Sequence, residues 1–333
     1  MTVVVPAYNA AWSIARTIES VLRQTWRDFE LLVVNDASTD DLHGVVEPIA
    51  RRDARIRIID QPNGGVAAAR NRGLAEARGQ YVAPLDADDL WHPEYLEAMA
   101  MALESDARAP FAYGYLFRID AIDRLFPMPP ISRPPRHDFL GLLSLNSVGC
   151  GSAATYRREA MRAVGGYDET LRQRAGTGAE DWKLSLEIAA LGQPALVPRA
   201  LVGYRLVAQS LSQSNPARQL ASIEAVLQDI RVAFPKVPSR WFADARTMMI
   251  AWLLPAYLGR RMFGDALFQA ARAYLLNPRW WYNANLRHVH VYRLKVLVDR
   301  LARGARYQPL RLSEAEFEGE RPFAFLDDSA LRS

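Results

Sequence analysis

Gln80-Tyr81-Val82-Ala83-Pro84-Leu85-Asp86-Ala87-Asp88-Asp89 is a short apolar run that ends in three carboxylates within four residues. The run reads as a strand and the acids as its exit. Side chains two apart on an extended segment point the same way, so Asp86 and Asp88 can converge on one hard cation bound to a diphosphate. Acids this close repel one another unless a cation or a basic partner is near. The competing reading is a turn and helix cap leading into Leu90-Trp91-His92-Pro93, with Asp89 as the capping residue.

Upstream of this stretch the chain alternates strand and helix signals. Val3-Val4-Val5 reads as a buried strand, Ile14, Ile18, Val21 and Leu22 recur at helical spacing, and Glu30 to Val34 is a second strand. A helix follows Asp40 or Asp41, then a strand over Ile56 to Ile59. Gly64-Gly65 opens a helix that runs to about Ala77 and is ended by Gly79. This order predicts an α/β fold, a mostly parallel Rossmann-like sheet flanked by helices. Ligands of such sheets bind beyond the carboxyl ends of the strands, where Asn35-Asp36 and Asp86 to Asp89 both lie.

Downstream, a helix from about Pro93 to Glu104, a strand over Phe111 to Ile119, a strand over Gly151 to Tyr156 and a helix over Glu180 to Leu191 are expected. The Pro-rich Phe126 to Pro135 reads as a loop, a candidate lid or acceptor-facing segment. Near residue 215 the strand signals fade, and helices are predicted at about 216 to 234, 239 to 258, 265 to 276 with Asp265 as N-cap, and 285 to 303. The expected domains are therefore 1–215, a helical region 216–312 and an acidic tail 313–333.

The 333 residues carry 41 Lys and Arg against 37 Asp and Glu, a net charge of +4 that argues against nucleic acid as a partner. The one cysteine, Cys150, permits no internal disulfide and reads as a small buried residue in a cytoplasmic protein. No secretion signal or membrane-spanning helix is expected. His288 and His290 lack a third ligand and read as surface or packing residues.

Other polar residues carry both a chemical and a structural reading. Asp36 at a strand end can accept hydrogen bonds from a base or ribose hydroxyl, or it can cap a turn in the Asp-, Ser- and Thr-rich segment that follows. Arg70, two turns into the helix opened by Gly64-Gly65, can contact a base or phosphate, or form an ion pair with one of the aspartates.

Val4-Val5-Pro6-Ala7-Tyr8-Asn9, Val33 to Asp40, Asn63-Gly64-Gly65 with Ala69-Arg70-Asn71, Leu85 to Asp89, Gly165-Gly166-Tyr167-Asp168-Glu169 and Glu180-Asp181-Trp182 occur in this order. The set resembles the family 2 glycosyltransferases, inverting, nucleotide-sugar-dependent enzymes of the GT-A fold. The resemblance covers about residues 2 to 215. It implies a nucleotide-sugar donor, most simply a UDP-sugar, held by Pro6, Ala7, Tyr8, Asp36, Asn63, Arg70, Asp86 and Asp88. It also implies a divalent cation, Mg²⁺ or Mn²⁺, on Asp88 with Asp86 beside it. Asp181 matches the base that deprotonates the acceptor hydroxyl, with Glu180 as fallback. Asp181 opens a helix, whose positive end is expected to lower its pKa. Trp182 reads as a sugar platform or, more commonly, core.

In Tyr204 to Ser212 the resemblance breaks, because Val207 stands where the family often has His; Arg205, Ser210 or Ser212 are the candidate substitutes. The acceptor implied is a glycan or lipid-linked hydroxyl in surface polysaccharide assembly. The alternatives are a non-catalytic nucleotide-sugar-binding scaffold or a nucleotidyltransferase, the latter disfavoured by the lack of a Gly-rich phosphate loop at the first strand. Between Arg279 and Arg311, eight Lys and Arg face one acid, Asp299, among Trp280, Trp281, Tyr282 and Tyr292. That stretch reads as a helical face packed on the catalytic domain or in a homo-oligomer, or as a peripheral contact with the inner face of the cell membrane.

Overall fold

The computed structural model describes residues 1–123, 136–176, 178–206 and 215–281. Eight strands form one sheet in the order β3-β2-β1-β4-β7-β6-β8-β5. β1 (Thr2–Ala7), β2 (Glu30–Asn35), β3 (Ile56–Asp60) and β4 (Tyr81–Pro84) pair in parallel. β6 (Phe111–Ile119) and β8 (Ala195–Arg205) are also parallel to each other. β7 (Ala154–Arg157) runs antiparallel between β4 and β6, and β5 (Leu90–Trp91) runs antiparallel on the edge of β8. This is the expected α/β arrangement with helices after it.

β1 is buried along its whole length because both edges are paired and both faces are covered, which is why it reads as an uninterrupted apolar run. The helices α1 (Ile14–Leu22), α2 (Leu42–Ala50) and α3 (Val66–Glu76) link the parallel strands. α3 packs so tightly on the sheet that a Cβ on Gly73 would fall 2.2 Å from Val4 Cγ1. The chain moves outward from β1 through β2 to β3, then returns to β4 on the other side of β1. Ligand crevices form at such a reversal, and here it is flanked by Ala7-Tyr8 and Leu85-Asp86.

Three expectations need correction. The stretch predicted as one strand from Gly151 to Tyr156 begins as a 3-10 turn, Gly151–Ala153, before β7. Asp89 caps no helix: the next helix, α4 (Tyr95–Ser105), starts after Glu94. Asp265 lies in the first turn of its helix rather than at the N-cap, which is Met262. Asp41 does cap α2, accepting from Gly44 N at 3.1 Å, while Asp40 accepts from Ala11 N.

α5 (Phe139–Leu145), α6 (Arg158–Ala163), α7 (Leu171–Ala175) and α8 (Glu180–Ala189) lie between β6 and β8 in the chain, and α6 packs on β7 while α4 packs on β6 and β8. The helices α9 (Pro216–Ala233), α10 (Ser239–Gly259) and α11 (Phe263–Leu276) follow, and Asn215 caps α9 by accepting from Arg218 N. Of the apolar positions at helical spacing, Leu220, Ile223, Val226, Leu227 and Ile230 are buried and Phe234 is half-buried. Among the described residues no helix is long and apolar enough to cross a membrane. The loop at 126–135, Val207, Ser210, Ser212, the helix predicted at 285–303, His288, His290 and the tail 313–333 lie outside the described residues.

A polar staple joins α9 to the sheet domain. Lys183 Nζ on α8 donates to Asp168 Oδ2 at 2.6 Å and to Asp229 Oδ2 at 2.8 Å, and Arg174 Nη2 reaches both carboxylates at 2.8 Å. The Lys183 side chain is only 12% exposed. Lys183→Met leaves two carboxylates facing each other without their nearer cation, so a loss of about 2 kcal/mol in urea unfolding is expected. An unchanged midpoint and slope would show that the staple contributes nothing.

Candidate active site

Asp86 begins where β4 ends, and the antiparallel register Val82 to Tyr156, continued outward, brings Ser152 alongside it. Ser152 Oγ accepts from Asp86 N at 3.0 Å and donates to Asp89 Oδ2 at 2.6 Å. The other Asp89 oxygen accepts from Arg205 N at 2.9 Å. Asp89 is therefore a fully buried staple of the turn, and burial beside Asp88 and Asp86 holds its pKa well above the usual carboxylate range. Arg205, proposed from sequence as a stand-in for the missing imidazole, is itself buried. Its guanidinium donates to Asp88 O and Asp120 O, both at 2.6 Å, and to Asp123 Oδ1 at 2.5 Å.

With Asp89 and the main chain pinned, the Asp88 carboxylate makes no hydrogen bond to another side chain among the described residues, and the Arg205 guanidinium attracts it. Among the described residues it bonds only its own main-chain N–H, and burial next to Asp86 pushes its pKa up to about 6. No group of three His, Cys, Asp or Glu side chains gathers to hold a metal among the described residues. Asp86 and Asp88 still suit a hard cation, because Mg²⁺ is commonly held by one or two carboxylates while substrate phosphates and water complete its shell.

Arg70 is the hub of the site. It is 3% exposed, and its Nη2 donates to Asp86 Oδ1 at 2.6 Å while Nη1 donates to Glu180 Oε1 at 2.7 Å. The guanidinium lies over the Tyr167 ring at 5.2 Å. The ion-pair reading of Arg70 holds, joining the end of β4 to the start of α8. Arg72, by contrast, pairs with Glu76 on its own helix.

Asp181 follows Glu180 and shares this cluster. A Cβ on Gly151 would fall 2.9 Å from Arg70 Nη2 and 3.7 Å from Asp181 Cβ, so the small residue allows the two elements to approach. Before α8, Ala179 adopts φ 69°, a left-handed conformation unusual for a residue with a Cβ, as the chain turns into the helix. Asp181 Oδ1 accepts from Trp182 N at 2.7 Å. The expected helix-end lowering of its pKa is overturned: burial first, then Glu180, push it up to about 7, against the pull of Arg70. Trp182 is core, with Nε1 donating to Leu142 O at 3.1 Å.

The carboxyl ends of β1 and β2 form the other wall. Pro6 and Ala7 are buried in β1, and Tyr8 emerges 54% exposed. Asp36 is buried, with Oδ1 accepting from Gln61 Nε2 and Gly64 N and Oδ2 accepting from Gly65 N, all within 2.8 Å. Gly65 supplies φ 88° at this turn. Asn63 Nδ2 donates to Asp36 O, and Asn63 Oδ1 accepts from Arg172 Nη2. Asp36 thus fixes the 61–65 loop, the turn reading of this residue, with a different segment from the one anticipated.

Three supporting residues escaped the sequence reading, Ser152, Gln61 and Arg172, and Asn71 was seen in a motif but given no role. Asn71 Nδ2 donates to Tyr167 O at 2.8 Å and its Oδ1 accepts from Tyr167 N, locking the Gly165-Gly166-Tyr167 loop under Arg70. Its place beside Arg70 was the available signal; Ser152 had none. Cys150 is buried, and burial raises its thiol pKa well above the ordinary range, so it is not a reactive thiolate.

Residues 2–165 match the profile described as Glycosyl transferase family 2. They form a family 2 glycosyltransferase domain. Glu180 and Asp181 lie beyond the residues of this family match. The uncharacterized glycosyltransferase YibD of Escherichia coli (strain K12) is 40% identical over 107 residues, 32% of this chain and 31% of that protein. The chain thus spans less than a third of that relative. Among solved structures, S. aureus TarS 1-349 in complex with UDP-GlcNAc superposes with TM-score 0.57 at 17% identity, covering 92% of this chain and 93% of that one. The mannosyltransferase PcManGT from Pyrobaculum calidifontis in complex with GDP-Man and Mn²⁺ gives TM-score 0.52 at 21% identity, covering 90% and 86%. Both likenesses are of fold.

Proposed function

We propose that this glycosyltransferase moves a sugar, with inversion, from a nucleotide-sugar donor to an acceptor hydroxyl in surface glycan assembly. The observation that carries the proposal is the meeting of Asp86 with Glu180 and Asp181 around buried Arg70, at the carboxyl edge of the parallel strands. In a direct displacement one group must take the acceptor proton while another region holds the departing diphosphate. Asp181 is assigned the proton, with Glu180 held by Arg70. Tyr8, Asn63 and the turn fixed by Asp36 line the nucleotide side.

Asp88, with Asp86 beside it, is assigned the divalent cation, Mg²⁺ or Mn²⁺, which when bound would neutralise charge on the leaving diphosphate. The Arg205 and Ser152 bonds hold the turn that carries Asp88, and the Arg205 guanidinium favours its ionised form. TarS has been crystallised with UDP-GlcNAc and PcManGT with GDP-Man and Mn²⁺, which supports a nucleotide-sugar donor with a metal. A UDP-sugar is the proposed donor.

A thermal-shift panel of nucleoside diphosphates and nucleotide sugars, with and without Mn²⁺, tests the donor side. UDP with Mn²⁺ is expected to raise the melting temperature more than UDP or Mn²⁺ alone. Asp88→Ala should lose the metal-dependent increment, and a full increment in that variant would remove Asp88 from the metal.

A further inference from the structure

α11 turns an apolar face outward. Leu267, Phe268 and Leu275 are 73%, 64% and 79% exposed, and Phe263 is 53% exposed. At 3.6 residues per turn, Leu267, Phe268, Ala271 and Leu275 share one side of the helix, opposite the buried Ala266 and Ala273. Exposed apolar residues scattered singly are ordinary, but a continuous arc on one helix marks an interaction surface.

Charge around the arc identifies the partner. Arg260 and Arg261 stand just before the helix, Arg272 borders the apolar side within 3.9 Å of Glu224 and Arg279 follows, while Asp265 is the one acid in α11. A two-fold contact with a second copy would set these cations against their own images. An anionic bilayer offers both an apolar layer for Leu267, Phe268 and Leu275 and negative headgroups for the arginines.

We infer that the outward face of α11 is a docking surface for an anionic lipid membrane, lying in the interface rather than crossing it. The surface is independent of the assignment of Asp181, since lipid binding is read without sugar transfer.

Flotation of the full chain with phosphatidylcholine vesicles, with and without phosphatidylglycerol, tests the inference. Binding is expected only with phosphatidylglycerol, weakened by high salt, and weakened about tenfold or more by Leu267→Asp with Phe268→Asp. Arg260→Glu with Arg261→Glu should also weaken binding while leaving the apolar arc intact, which separates docking from misfolding. Three results overturn the inference: no flotation of the wild-type chain with anionic vesicles at low salt, flotation undiminished in both double variants, or an α11-dependent dimer that binds no vesicles.

Discussion

Asp181→Asn lowers sugar transfer by about a thousandfold and leaves nucleotide-sugar binding unchanged, the outcome expected when a positioned proton acceptor is lost. The substitution keeps the shape of the side chain and its bond from Trp182 N. It removes only the capacity to accept a proton. Burial and the neighbouring Glu180 hold Asp181 near pKa 7, high enough to make it an effective base and low enough to leave about half of it ionised at neutral pH. The ionised form is the active one, so transfer by the wild-type chain should fall as pH drops through about 7, roughly tenfold per unit, and level off above it. Asp181→Asn should lose this acid limb along with its rate. Wild-type-like transfer in the variant would reject Asp181 as the base, and Glu180→Gln would then be the next substitution to assay.

Arg70→Met is expected to destabilise the fold by about 3–5 kcal/mol, because it leaves a buried carboxylate cluster without its cation. Glu180 loses its ion pair outright, and Asp86 loses the contact that draws it toward α8. The sign with pH follows from Asp181, whose raised pKa means that it is protonated below about 7 and ionised above. The loss should therefore be larger at pH 8 than at pH 6, since protonation relieves part of the repulsion. Loss of the cation should also move the acid limb of any residual transfer to higher pH. Urea unfolding at the two pH values is the check. A loss below 1 kcal/mol at both, on the order of a surface pair, would mean that Arg70 is not the hub described.

The parallel strands were legible in the chain because each is a buried apolar run closed by polar residues. Val3-Val4-Val5 and Tyr81 to Pro84 could be little else, and the period of Leu220 to Ile230 announced α9 equally well. Asp86, Asp88, Asp36 and Arg70 were legible as candidates from their positions at strand ends and at a helix start. Their partners were not. Asp89 looks like a cap beside Pro93, and its burial between Ser152 and Arg205 depends on residues more than 60 and 110 positions away. The Gly151 turn was hidden because Gly151 to Tyr156 has strand composition while a 3-10 turn is needed to bring Ser152 beneath Asp86.

Local sequence thus determined the elements, the carboxyl-edge location of the polar residues and the family of residues 2–165, since hydrophobic periodicity and turn chemistry act over a few residues. Only the tertiary structure decided how the acids divide their work. Desolvation and ion pairing depend on what packs against a group, so one run of aspartates yields an Asp86 paired with Arg70, an Asp88 with no hydrogen bond to another side chain among the described residues and a buried Asp89. The same reason reversed the expectation for Asp181: a helix N-terminus favours the carboxylate, but burial beside Glu180 outweighs it.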